Sequence, residues 1–172
     1  MYKRQIEGRP FITVLGDGRL GLLVAQVVNT LNATVRVVGK HEDKLRLCEK
    51  WGIRHRLLAD VGLRQDQDIV IDCTGSAQGI ETAMQMVRPR GTIVMKTTTV
   101  PGDTPIDLSP LVIHEISLIG SRCGPFPDAL QALSAGTIDI ASLISKRMKL
   151  ADGVQALREA AQPGTLKVLL SP

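Results

Sequence analysis

The string Gly16-Asp17-Gly18-Arg19-Leu20-Gly21 narrows the possible folds more than any other feature of the sequence, because of what stands on either side of it. Before it lies the apolar run Phe11, Ile12, Thr13, Val14 and Leu15, which predicts a strand. After it, Leu20, Leu23, Val24, Val27, Val28 and Leu31 share one face of a helix over 19–31. In such a strand-turn-helix unit Gly16 allows the tight turn, Gly18 leaves no Cβ between the backbone and a pyrophosphate, and Gly21 lets the helix pack closely on the strand. Free N–H groups and the positive end of the helix dipole then hold the phosphates. The plain alternative, a tight βα turn with no ligand, does not call for three glycines in this register. Arg19 is either a charge beside the diphosphate or an ordinary exposed arginine.

The alternation continues downstream. Apolar, β-branched runs predict strands at 34–38, 53–58, 68–72, 92–95 and 116–119, and helical patterns fall at 42–51, 76–87 and 127–135. Gly52 supplies a stop for the second helix, Ser76 a cap for the third, and Pro89 with Gly91 its end. The stretch 97–110, rich in Thr, Pro, Gly and Asp, predicts a loop. Strands alternating with helices imply an α/β fold, a doubly wound six-stranded parallel sheet of the Rossmann kind. Its expected extent is 1–142, followed by a strand-helix-strand tail at 143–172. A chain of 172 residues has room for one sizeable core.

Other classes fit poorly. No apolar run approaches the ~18–20 residues of a spanning helix, and the opening Met1-Tyr2-Lys3-Arg4-Gln5 leads into Glu7 and Arg9, not a secretory apolar stretch, so a cytoplasmic location is expected. Cys48, Cys73 and Cys123 are too few and too scattered for a disulfide framework or a zinc knuckle. The net charge of +4 comes from dispersed basic residues, with only Tyr2, Phe11, Trp51 and Phe126 able to stack on bases, which argues against nucleic acid. His41, His55 and His114 show no metal spacing, and there is neither a G-x-S-x-G elbow nor a Tyr-x-x-x-Lys pair. No catalytic residue and no metal site is expected within the chain.

About 20 residues beyond the glycine motif, an NAD site usually places an acid on the adenosine ribose hydroxyls. Here that position is Gly39, followed by Lys40, His41 and Lys44. The charge pattern leans towards NADP(H), while Glu42 and Asp43 keep NAD(H) open and a solvated helix start remains the plain reading of the cations. Ligands of doubly wound sheets lie across the carboxyl ends of the strands, so Cys73, Thr74 and Gly75, then Thr97 and Thr98, then Gly120 and Ser121 are expected to line the rest of the site. Each could equally be a turn residue; together they form a set.

Taken in order, Val14-Leu15-Gly16-Asp17-Gly18-Arg19-Leu20-Gly21, Val38-Gly39-Lys40-His41, Asp72-Cys73-Thr74-Gly75-Ser76, Arg90-Gly91-Thr92-Ile93 and Ile119-Gly120-Ser121-Arg122-Cys123 resemble the cofactor-binding half of medium-chain dehydrogenase/reductases of the zinc-dependent alcohol dehydrogenase type. The terminal run 166–172 is similar to that family's tail, which returns to the catalytic domain. The resemblance implies pyrophosphate contacts on the run Gly16 to Gly21, with Gly18, Arg19 and Leu20 within it, a lysine near the ribose at Lys44, and nicotinamide-side contacts on Cys73, Thr74, Thr97, Thr98 and around Gly120. At Gly39 the sequence departs from the family's acid. The resemblance further implies that zinc belongs to a GroES-like domain these residues do not include. The chain would then bind NADP or NAD, with NADP favoured, and catalyse nothing alone. A stand-alone NAD(P)-sensing module is the rival expectation; an S-adenosylmethionine methyltransferase fits less well, since it also wants an acid near Gly39. Relatives pair sheet edges into homo-oligomers, which points to 117–119, and the strand at 166–170 is expected to need a partner edge from the absent domain.

Overall fold

A computed structural model describes residues 8–98 and 106–172. Regular structure begins where the glycine motif predicts. Strand β1 (Phe11–Leu15) runs into helix α1 (Arg19–Asn29), and β2 (Thr34–Gly39) follows. The predicted helix over 42–51 is two short ones, α2 (Glu42–Leu45) and α3 (Leu47–Lys50), and Gly52 at φ +64° turns the chain into β3 (Arg54–Leu57). Next come β4 (Gln67–Asp72), α4 (Ala77–Met86), β5 (Val87–Met95), α5 (Ser109–Ile113) and β6 (Ser117–Gly120). Helix α5 begins in the last two residues of the stretch expected to be loop; it is one turn long, with Pro110 tolerated near its start because the first helical N–H groups have no intrahelical partner anyway. Residues 99–105 of that expected loop lie outside the described residues.

The six strands form one parallel sheet in the order β3-β2-β1-β4-β5-β6. The order reverses direction between β1 and β4, and that is where doubly wound sheets open a crevice at their carboxyl ends. Register explains which residues fill the core. Leu15 pairs with Val38, Thr13 with Val70, and Val70 with Ile93, so one face of the sheet carries Leu15, Val38, Val70 and Ile93. These pack with Ile80, Ala83 and Met84 of α4 in a single buried cluster. The opposite parity presents Ile12, Val14, Val35 and Val37, also buried. Each such side chain contributes roughly 1.5–3 kcal/mol by leaving water. Thr13, buried within the sheet, is satisfied: its hydroxyl donates to Gln67 Oε1 at 2.7 Å and accepts from Arg36.

The chain divides into two compact units, 1–123 and 124–172. The second contains α6 (Phe126–Ser134), β7 (Lys146–Lys149), α7 (Gly153–Ala160) and β8 (Val168–Ser171). Strand β8 pairs in parallel with β7, Lys146 opposite Val168 and Lys149 opposite Ser171. The terminal strand therefore finds a partner within this chain, which corrects the expectation that only an absent domain could supply one. A parallel pair needs a crossover, and α7 is that crossover. Among the described residues no helix is long and apolar enough to cross a membrane.

Candidate functional site

Three glycines shape the β1–α1 turn, each for a different reason. Gly16 takes φ +108°, where its N–H donates to the Val38 carbonyl at 2.8 Å. A Cβ on Gly21 would stand 1.9 Å from the Gly16 carbonyl oxygen, so the helix can approach the turn only without a side chain there. A Cβ on Gly18 would meet nothing within 4 Å. Gly18 is also the N-cap of α1, makes no side-chain cap, and is followed by no acid in the first turn. The amino end of an 11-residue helix thus faces open space with its first N–H groups uncapped by any side chain.

That space belongs to a cavity of about 360 Å³ at the carboxyl ends of β1, β2 and β4. Of the expected site residues, Gly16, Gly18, Gly39, Lys40, Cys73 and Thr74 line it. Arg19 and Leu20 are exposed on the first turn of α1, and Gly21 is buried behind it. Lys44 sits half-buried on α2 and does not reach the lining. Gly75, Thr97, Thr98 and Gly120 lie farther along the same carboxyl edge, where Asp72 pairs with Met95 and Met95 with Gly120. Gly75, at φ +71°, donates its N–H to Thr97 Oγ1 at 2.9 Å and so ties the β4 turn to the β5 turn.

The β4 turn is held from below. Asp72, 1% exposed, accepts from the Thr74 N–H at 2.9 Å and from the Thr74 hydroxyl at 2.7 Å through Oδ1. Among the described residues its Oδ2 has no hydrogen-bond partner. The next residue, Cys73, has its thiol pushed up to about 12, first by burial and then by the Asp72 charge, so it presents a neutral, weakly polar wall. Cys48 is likewise pushed up to about 11 by burial. Ser76 caps α4, accepting from the Gly79 N–H at 3.2 Å, and Gly79 must be glycine because a Cβ would stand 1.9 Å from Thr74 Oγ1.

Asp17 falls inside the expected pyrophosphate run, but the role of its side chain is what sequence reasoning missed. It is 7% exposed, and its side chain crosses from the β1 turn to the end of β2. There its Oδ2 accepts the backbone N–H groups of Lys40 at 2.7 Å and His41 at 2.6 Å, and His41 Nδ1 lies 3.1 Å from both oxygens. A Cβ on Gly39 would stand 2.4 Å from Asp17 Oδ2. The available signal was an acid in the second place of the motif together with a glycine at the end of β2, but nothing in the spacing says that one fills the space of the other. His41, expected with Lys40 beside the ribose, lines the cavity too, and Leu58, Gln78 and Thr82 line it without having been among the expected contacts.

A family described as zinc-binding dehydrogenase matches residues 20–136. Sorbitol dehydrogenase of Halalkalibacterium halodurans is 23% identical over 99% of this chain and 54% of its own length. A zinc-type alcohol dehydrogenase-like protein of Escherichia coli strain K12 is 30% identical over 87% of this chain and 46% of its own. Among solved structures, a zinc-binding dehydrogenase of Sinorhizobium meliloti 1021 bound to NADP superposes with a TM-score of 0.84 at 26% identity, covering 98% of this chain and 54% of that one. The chain spans about half the length of the curated relatives it matches.

Proposed function

The chain belongs to the zinc-binding dehydrogenase family, corresponding to its C-terminal, cofactor-binding part, and from this we propose that the cavity at the β1–α1 turn holds a nicotinamide dinucleotide. The observation that carries the reading is the amino end of α1: a helix terminus with no side-chain cap and no first-turn acid, opening through a bare glycine onto a cavity. Gly18 and the α1 N–H groups would receive the diphosphate. Cys73, Thr74, Gly75, Thr97, Thr98 and Gly120 lie along the carboxyl edge where the nicotinamide half would run, and the neutral Cys73 thiol gives that half an apolar wall. When bound, such a cofactor supplies the hydride acceptor or donor; the chain orients it and excludes water. At the adenosine end two charges compete. Lys40 and Lys44 carry the expectation of NADP(H), and the Asp17 carboxylate opposes it.

We read the whole protein as an oxidoreductase moving a hydride between an alcohol or polyol carbon and the nicotinamide ring. Zinc does not fit the residues described here, since no three His, Cys, Asp or Glu side chains among them gather as a metal-holding group, and no step is assigned to it. Calorimetric titration of the chain at fixed salt should show one dinucleotide bound per chain in the micromolar range. Absence of heat with both NADH and NADPH at millimolar concentration would refute the reading.

The sheet ends at β6, whose Leu118 and Ile119 are 40% and 50% exposed. An exposed apolar edge invites pairing, and we assign it to a second copy of this chain meeting β6 to β6. Sedimentation should give twice the 18.6 kDa chain mass, reduced to one chain by Ile119→Lys; a monomeric unsubstituted chain rejects the assignment.

A further inference from the structure

Asp17 has chemistry left over after its structural bonds are counted. A carboxylate offers about four acceptor positions. The Lys40 and His41 amides take two on Oδ2, and the His41 ring, lying 3.1 Å from each oxygen, takes a third. One acceptor position remains on a group that lines the cavity. Its location matters as much as its capacity, because the Gly39 Cβ that would begin an acidic side chain at the end of β2 coincides within 2.4 Å with Asp17 Oδ2. The missing acid of position 39 is present in space, delivered from the neighbouring strand.

Resting on the dinucleotide reading, we propose that Asp17 reads the 2′ position of the adenosine ribose, accepting a hydrogen bond from the free diol of NAD(H) and repelling the phosphate of NADP(H). The turn offers a phosphate little in compensation. Both backbone amides that could cradle an anion are already turned onto Asp17. The Asp17 side chain is 9% exposed, so its charge is poorly screened, whereas Lys40 is exposed with its Nζ 3.4 Å from Gln78 Oε1, and Lys44 stands off the cavity. Solvated ammonium groups on flexible stems attract weakly; a desolvated like charge repels strongly.

The test is paired titration of the 172-residue chain with NADH and NADPH at one ionic strength. NADH should bind at least about tenfold more tightly. The near-isosteric Asp17→Asn should shrink that ratio by about tenfold, while Lys40→Ala should change it less than about twofold. If Asp17→Asn fails to fold, the unsubstituted chain still decides: 5′-AMP should displace NADH at lower concentration than adenosine 2′,5′-bisphosphate. Equal or tighter NADPH binding, an unmoved ratio in Asp17→Asn, or better displacement by the bisphosphate overturns the proposal while leaving the dinucleotide site standing. Failure of both cofactors to bind removes the site and the proposal together.

Discussion

Replacing Gly18 with valine should cost dinucleotide binding at least about a hundredfold while lowering the stability of the chain by less than about 1 kcal/mol. The cofactor-binding effect follows from steric exclusion at the one motif position whose missing side chain faces the cavity. The small stability effect follows from geometry: the backbone at Gly18 has φ −75° and ψ 175°, which any residue adopts, and a Cβ there touches nothing within 4 Å. Only the weaker capping tendency of valine opposes it. Gly21→Ala, three residues on, should do the reverse of this at the level of the fold. Its methyl would stand 1.9 Å from a backbone carbonyl that cannot swing aside, so α1 must shift from the turn at a cost of about 3 kcal/mol or more. That corresponds to a fall of very roughly 6–12 °C in the melting temperature of a chain this size. Thermal melts and cofactor titrations on the two variants separate the roles. Equal binding by Gly18→Val and the unsubstituted chain would mean that the phosphates do not lie against this turn.

Much of the fold was legible because its signals are local. The β1 run, the three glycines and the apolar face of α1 lie within 20 residues of one another, and the strands at the centre of the sheet are buried on both faces and therefore read as unbroken apolar runs. Where the signal was weak or non-local, the reading strayed. The helix expected over 42–51 splits because Arg46 leaves the first short helix and opens the second. The partner of β8 was missed because Lys146, Arg147 and Lys149 make β7 too polar to advertise a pairing surface, and pairing across a crossover leaves no mark in either strand. The site divides in the same way. Gly16, Gly18 and Gly21 follow from spacing, but the meeting of Asp17 with Gly39 joins residues on adjacent strands, and it exists only because the positive φ of Gly16 and its hydrogen bond to Val38 bring the two turns together. A blank at position 39 therefore looked like the absence of a charge. In the fold it is the clearance for one.

That clearance makes a stability prediction independent of any cofactor. Gly39→Asp alone should destabilise the chain by about 3 kcal/mol or more, since its Cβ would lie 2.4–2.6 Å from three atoms of the Asp17 side chain and would bring a second carboxylate against the first. Asp17→Ala alone should cost about 1–3 kcal/mol, because the N–H groups of Lys40 and His41 lose their acceptor. If the two positions compete for one volume, the double variant cannot be the sum. With Asp17 removed, the new aspartate has the space, and the penalty for introducing it should shrink by at least about 2 kcal/mol in a double-mutant cycle measured by urea denaturation. A penalty unchanged by the loss of Asp17 would show that the two side chains do not share a site. Recovery of stability together with a retained preference for NADH would show that the acid is needed at this place in space, and that either of the two adjacent strands can deliver it.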